Sequence, residues 1–180
     1  STGYGNAKFS SDSSAKSKAE AVYKQYASLL LAPTEVTGGF LISSPGTSGT
    51  VSSGPDNEIY VMTARRSNMK DRVNKGTWLV ALSGSTSAVG GHTGADILYL
   101  MDDSSTTTAT STPVGDRYNI VSCSSTGTAP SDASIRKFGF FYPDVGVMVF
   151  SAQELSASVP GDHSSITSAT TAGVVGFPSQ

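Results

Sequence analysis

Phe138-Gly139-Phe140-Phe141-Tyr142-Pro143-Asp144-Val145-Gly146-Val147-Met148-Val149-Phe150 reads as a β-hairpin. Pro143 presets the φ of a turn, Asp144 suits the next position, and Gly146 tolerates a left-handed φ. Aromatic and β-branched residues on both sides have the composition of a pleated, half-buried surface. On the hairpin's N-terminal side, short apolar runs separated by turn residues recur at 36–42, 59–64, 77–82, 97–101 and 118–121, and the hairpin itself adds 138–142 and 145–150. These seven segments predict a mainly β protein, a single β-sandwich or barrel-like domain. The connections 43–55, 83–95, 102–115 and 122–134 are longer than hairpin loops of roughly two to five residues, which marks them as mobile segments or as contacts.

Composition agrees. Only 37% of the 180 residues are hydrophobic and 14% charged, while 31 Ser, 19 Thr and 19 Gly fill the difference. Small polar residues suit exposed loops and β-structure better than a helical bundle. The formal net charge of −2 provides no overall field for nucleic acid or an anionic membrane. Cys123 is the only cysteine, which excludes an internal disulfide and a zinc site built from several thiolates. No apolar run reaches the roughly 18 residues of a membrane span.

One segment follows another period. From Ser14 to Leu31, Ala19, Val22, Tyr23, Tyr26, Leu29 and Leu30 recur at steps of three and four, placing them on one face of a helix. Ser14 or Ser17 would cap its start, and Pro33 closes its end. That stripe either packs on its own domain or docks on another subunit. The expected organisation is an N-terminal arm and amphipathic helix over 1–35, a β domain over 36–157 with a helical turn near 152–157, and a C-terminal arm or linker over 158–180. Residues 1–13 are small, polar and without period, an arm that needs a partner to order it. A start at Ser1 and an end at Gln180, without a charged or helical terminus, suggest a segment of a longer polypeptide or a processed product.

Catalytic chemistry is thin. His92 and His163 both fall in loops, and with so many serines a Ser near a His is expected by chance; no Gly-x-Ser-x-Gly elbow is present. Asp96, Asp102 and Asp103 lack the ligand spacing of a calcium loop and read as a solvated strand end. The glycines at 38–39 and 84–94 lack the lysine and following helix of a phosphate loop. No catalytic, cofactor-binding or metal residue is expected.

The most unusual cluster is Arg65, Arg66, Lys70, Arg72 and Lys75, five cations with one acid, Asp71, within eleven residues and just before the only tryptophan, Trp78. Three readings stand: a solvated turn, a nucleic-acid patch, and a subunit contact. No aromatic residues interleave with the cations, which counts against nucleic acid. Arg and Trp are favoured at interface centres. The interface candidates are therefore Tyr23, Tyr26, Leu30, Arg65, Arg66, Lys70, Arg72 and Trp78.

Residues 59–78, 118–121 and 138–150 together resemble segments of virion structural proteins of contractile-tailed phages that infect marine cyanobacteria, most specifically through Met69-Lys70-Asp71-Arg72 and Phe141-Tyr142-Pro143-Asp144-Val145-Gly146. The resemblance implies a non-enzymatic component of the tail, baseplate or neck, located in the extracellular particle, and it transfers no catalytic or ligand residues. The expected function is a structural subunit assembling with copies of itself and other virion proteins, without nucleic acid or membrane. The alternative is a fibre or adhesin module that recognises host-surface glycans through its Ser/Thr/Gly loops and exposed tyrosines.

Overall fold

A computed structural model of the chain describes residues 2–6, 14–42, 54–83, 97–129 and 137–155. The chain is mainly β. Its strands are β1 (Thr2–Asn6), β2 (Glu58–Thr63), β3 (Val80–Ser83), β4 (Ile97–Asp102), β5 (Thr110–Thr112), β6 (Gly115–Ser122), β7 (Lys137–Tyr142) and β8 (Val147–Ser151). All pair antiparallel in the order β1-β2-β8-β7-β6-β4-β3, with β5 on β6. This single sheet curls into a half-barrel with one helix near its N-terminus, and the described residues form no second sheet to make a sandwich.

The 138–150 hairpin is its centre. Tyr142 pairs with Val147 across the turn, and Gly146 takes φ 66° as the turn chemistry demands. β7 is buried on both faces: Phe140 and Tyr142 join one apolar cluster, Phe138 and Phe141 the other. A strand buried on both sides reads as a continuous apolar run instead of an alternating one. Gly139 lies in that strand because a Cβ there would run into the Val149 carbonyl oxygen, beside the register shift at Ile120/Val121.

The helix α1 (Ser14–Leu30) lays Tyr23, Ala27 and Leu30 against Ile59, Val61 and Val149 on the first face. It packs on its own domain. Burying a Leu side chain fully, as at Leu30, contributes roughly 2 kcal/mol. Pro33 ends this helix and opens a second, α2 (Pro33–Val36). The strand expected at 36–42 is therefore corrected. Pro33 presets a helical first residue, the Glu35 carboxylate accepts the Ala32 N–H at 3.2 Å, and Phe40 keeps only an isolated bridge to Asp56. α2 also runs across the division expected at residue 35.

Three further differences follow. The segment at 77–82 becomes strand only from Val80, because Trp78 turns inward onto Phe141. The loop expected over 102–115 contains β5, paired to β6 by Thr110 opposite Arg117. The arm needs no other subunit over Thr2–Asn6, since the open edge of β2 pairs with it. The turn near 152–157 is present at Ala152–Leu155, where Leu155 N–H donates to Ser151 O at 3.2 Å. His92, His163, Asp96, the glycines at 84–94 and the tail 158–180 lie outside the described residues. No helix among the described residues is long and apolar enough to cross a membrane.

A buried polar network ties α1 to the sheet. Tyr23 donates its hydroxyl hydrogen to the Asp56 carbonyl at 2.8 Å and accepts the Phe40 N–H at 3.0 Å. The Asp56 carboxylate accepts the Ile42 N–H at 2.9 Å and the Ser151 hydroxyl, and Ser151 Oγ in turn accepts the Glu154 N–H at 3.3 Å. Buried polar groups satisfied in this way rigidify a core.

Candidate functional site

The cationic segment is a loop with a fixed root. It leaves β2 at Ala64, whose N–H donates to Gly146 O at 2.8 Å, and makes one turn of 3₁₀-helix at Arg66–Asn68. Val73 N–H donates to Pro143 O at 3.0 Å. The Gly76 N–H is shared by both oxygens of the Asp102 carboxylate, at 2.9 and 3.0 Å. Lys75 donates to the Tyr118 hydroxyl at 2.7 Å, with its ammonium 4.8 Å from that ring's centre. Trp78 meets Phe141 edge-on, ring centres 5.4 Å apart.

Asp102 and Asp103 are thus not a solvated strand end. Both are buried: Asp102 holds the loop, and Asp103 accepts the Asn119 N–H at 3.0 Å and its side-chain amide at 2.7 Å. A buried carboxylate costs stability unless hydrogen bonds compensate it, and backbone N–H groups supply them here.

Above this root the charges stand free. Arg65, Lys70 and Arg72 are exposed, their side chains making no hydrogen bond or ion pair among the described residues, while Arg66 donates to the Asp71 carbonyl at 3.0 Å. Of the other interface candidates, Tyr23 and Leu30 are spent in the helix–sheet core, Tyr26 is half-buried beside it, and Trp78 is half-buried with its indole N–H unpartnered among the described residues. The helix stripe and the cationic loop are therefore not one surface. Leu79 and Ile97 remain exposed beside the edge strand β3.

On the sheet face that carries α1 lies a half-open cleft of about 620 Å³, which sequence spacing did not indicate. Leu31, Leu41 and Phe140 line its apolar part, and Glu35, Arg117, Asn119 and Lys137 its polar part. Arg117 lies 4.4 Å over the Phe140 ring and contacts the Glu35 carboxylate at 3.4 Å. The only trace in the sequence is the alternation within β6, where Arg117 and Asn119 interleave with Tyr118 and Ile120 and so share one face.

Beside Arg117 the Tyr142 hydroxyl is buried without a hydrogen-bond partner among the described residues. Burial pushes its pKa up from 10.0 to about 12, with the Arg117 cation drawing it back and Glu35 raising it. Arg117 acts here through its field, without the geometry of a formed hydrogen bond. Below the ordinary phenol value the folded and unfolded chains hold this proton alike. From about pH 10 to 12 the unfolded chain ionises first, so this contribution to stability is lost as pH rises through the folded value. Tyr142→Phe should leave stability at neutral pH unchanged or improved, within about 1 kcal/mol, because no bonded hydroxyl is removed. It should also blunt the alkaline loss. Denaturant titrations at pH 7 and above 10 check both, and a neutral-pH loss above about 2 kcal/mol would show that the hydroxyl is bonded.

No family model matches this chain, and no curated protein or solved structure matches it significantly.

Proposed function

We propose that the chain is a structural subunit of an extracellular phage particle, joining copies of itself and other particle proteins through its β-domain surfaces and carrying out no reaction. The observation that carries this reading is the rooted cationic loop. Arg65, Lys70 and Arg72 stand on a backbone pinned by Asp102, Pro143 and Phe141, so little ordering entropy is lost when a partner binds. The loop's five cations and one acid give +4, leaving −6 for the rest of a chain whose total is −2. A positive projection on an otherwise acidic molecule complements a sibling copy head to tail, the heterologous geometry of rings and stacked arrays. The edge strand β3, flanked by exposed Leu79 and Ile97, gives a second surface for extension.

Sedimentation velocity across a concentration series tests this. Concentration-dependent association is expected. Combined Arg65→Glu, Lys70→Glu and Arg72→Glu should weaken it by roughly tenfold or more while leaving the melting temperature in place, since among the described residues these heads make no hydrogen bond or ion pair. A chain that stays monomeric throughout, or association indifferent to the three reversals, overturns the reading.

A further inference from the structure

The cleft at Arg117 collects polar groups that the fold leaves unused. The Lys137 ammonium, the hydroxyls of Thr107 and Thr110, and Asn119 Oδ1 line it without a hydrogen bond or ion pair among the described residues. Arg117 is more constrained. Its side chain is only 12% exposed and stacked on Phe140, and its single anionic contact among the described residues is a long one. Glu35 divides Oε2 between Arg117 at 3.4 Å and the Ala32 N–H at 3.2 Å, and is itself 41% exposed. A nearly buried guanidinium with a shared, distant, half-exposed counter-ion is underpaired, and a second carboxylate on its fork would relieve that.

The lining selects the ligand's chemistry. Two cations against one acid leave a single net positive charge, which suits a monoanion; a phosphate dianion would meet Glu35 at close range. The idle threonines and Asn119 offer neutral donors and acceptors of the kind hydroxyl groups use. The volume falls within the roughly 300–1,000 Å³ of small-molecule sites. We infer that this cleft binds a small sugar acid, whose carboxylate takes Arg117 and Lys137 in competition with Glu35 and whose hydroxyls reach Asn119, Thr107 and Thr110. This site lies apart from the loop proposed for assembly, and either can stand without the other.

The test is an amide-resolved NMR titration of the full chain with D-glucuronate, D-glucose and acetate at matched ionic strength. Saturable shifts at Gly38, Gly39 and Asn119 are expected with D-glucuronate, with D-glucose and acetate at least about tenfold weaker, because each offers only half of the recognised groups. Glu35→Gln keeps an amide oxygen for the Ala32 N–H but releases Arg117, and should tighten D-glucuronate by roughly threefold or more; Lys137→Ala should weaken it by a similar factor. Unperturbed shifts elsewhere confirm that each variant folds, and if Lys137→Ala does not, the Glu35→Gln arm decides. No saturable response to D-glucuronate overturns the proposal, as does acetate matching it or Glu35→Gln leaving its affinity unchanged.

Discussion

Phe141→Ala should cost the fold about 3–5 kcal/mol, the range for removing a buried aromatic ring from a core that cannot collapse around the gap. Phe141 is fully buried in the central strand, so the void would open in the middle of the second apolar cluster. Total stabilities are about 5–15 kcal/mol, so this one change removes a large share. It also removes the ring against which Trp78 rests, and with it one fastening of the cationic loop. Trp78 is the only tryptophan, which makes its fluorescence a direct reporter. The expected result is a lower denaturation midpoint, together with a red-shifted folded-state emission. A loss below about 1 kcal/mol with unchanged emission would show that the loop is not seated on this ring.

Asp56→Ala should be nearly as damaging, by roughly 3–5 kcal/mol, for a different reason. Asp56 is buried, and its carboxylate is the acceptor for both the Ile42 N–H and the Ser151 hydroxyl. Removing it strands two buried donors at about 1–3 kcal/mol each. Asp56→Asn retains one carbonyl oxygen and should recover about half of the loss. Because Asp56 also carries the carbonyl that holds the Tyr23 hydroxyl, loosening here should reach α1. Amide hydrogen exchange in α1 that accelerates more than in β7 would confirm the route. Equal stabilities for the Ala and Asn variants would show that water replaces the carboxylate and that the network contributes little.

The hairpin at 138–150 and the strands β2, β4 and β6 were legible because their signals are local: a Pro-Asp-x-Gly turn, and apolar runs of strand length. The helix was legible from its stripe, and Tyr23 and Leu30 do face a core. β1 was not. Thr2-Gly3-Tyr4-Gly5-Asn6 has no apolar alternation, and what makes it a strand is the unpaired backbone edge of β2. β5 was hidden for the same reason, since Thr110, Ser111 and Thr112 are largely exposed and their strand state comes from pairing with β6. The run at 36–42 misled because Val36 and Phe40 have strand composition, while Pro33 and the Glu35 carboxylate on the Ala32 N–H start a helix three residues earlier.

Both candidate sites divide in this way. The five cations near Trp78 were visible as a cluster, but whether they form a loose turn or a fixed projection depended on Asp102, Pro143 and Phe141, all distant in sequence. Arg117, Lys137 and Glu35 give no pattern at all, because the Arg117–Glu35 contact spans 82 positions. Which segments seek burial and where the chain turns could be read from the residues, since periodicity and turn chemistry act between near neighbours. Which edge captures the N-terminal strand, which carboxylates are buried, and which polar groups are left idle together emerged on folding, because those depend on sheet order and on backbone hydrogen bonds that any residue can make.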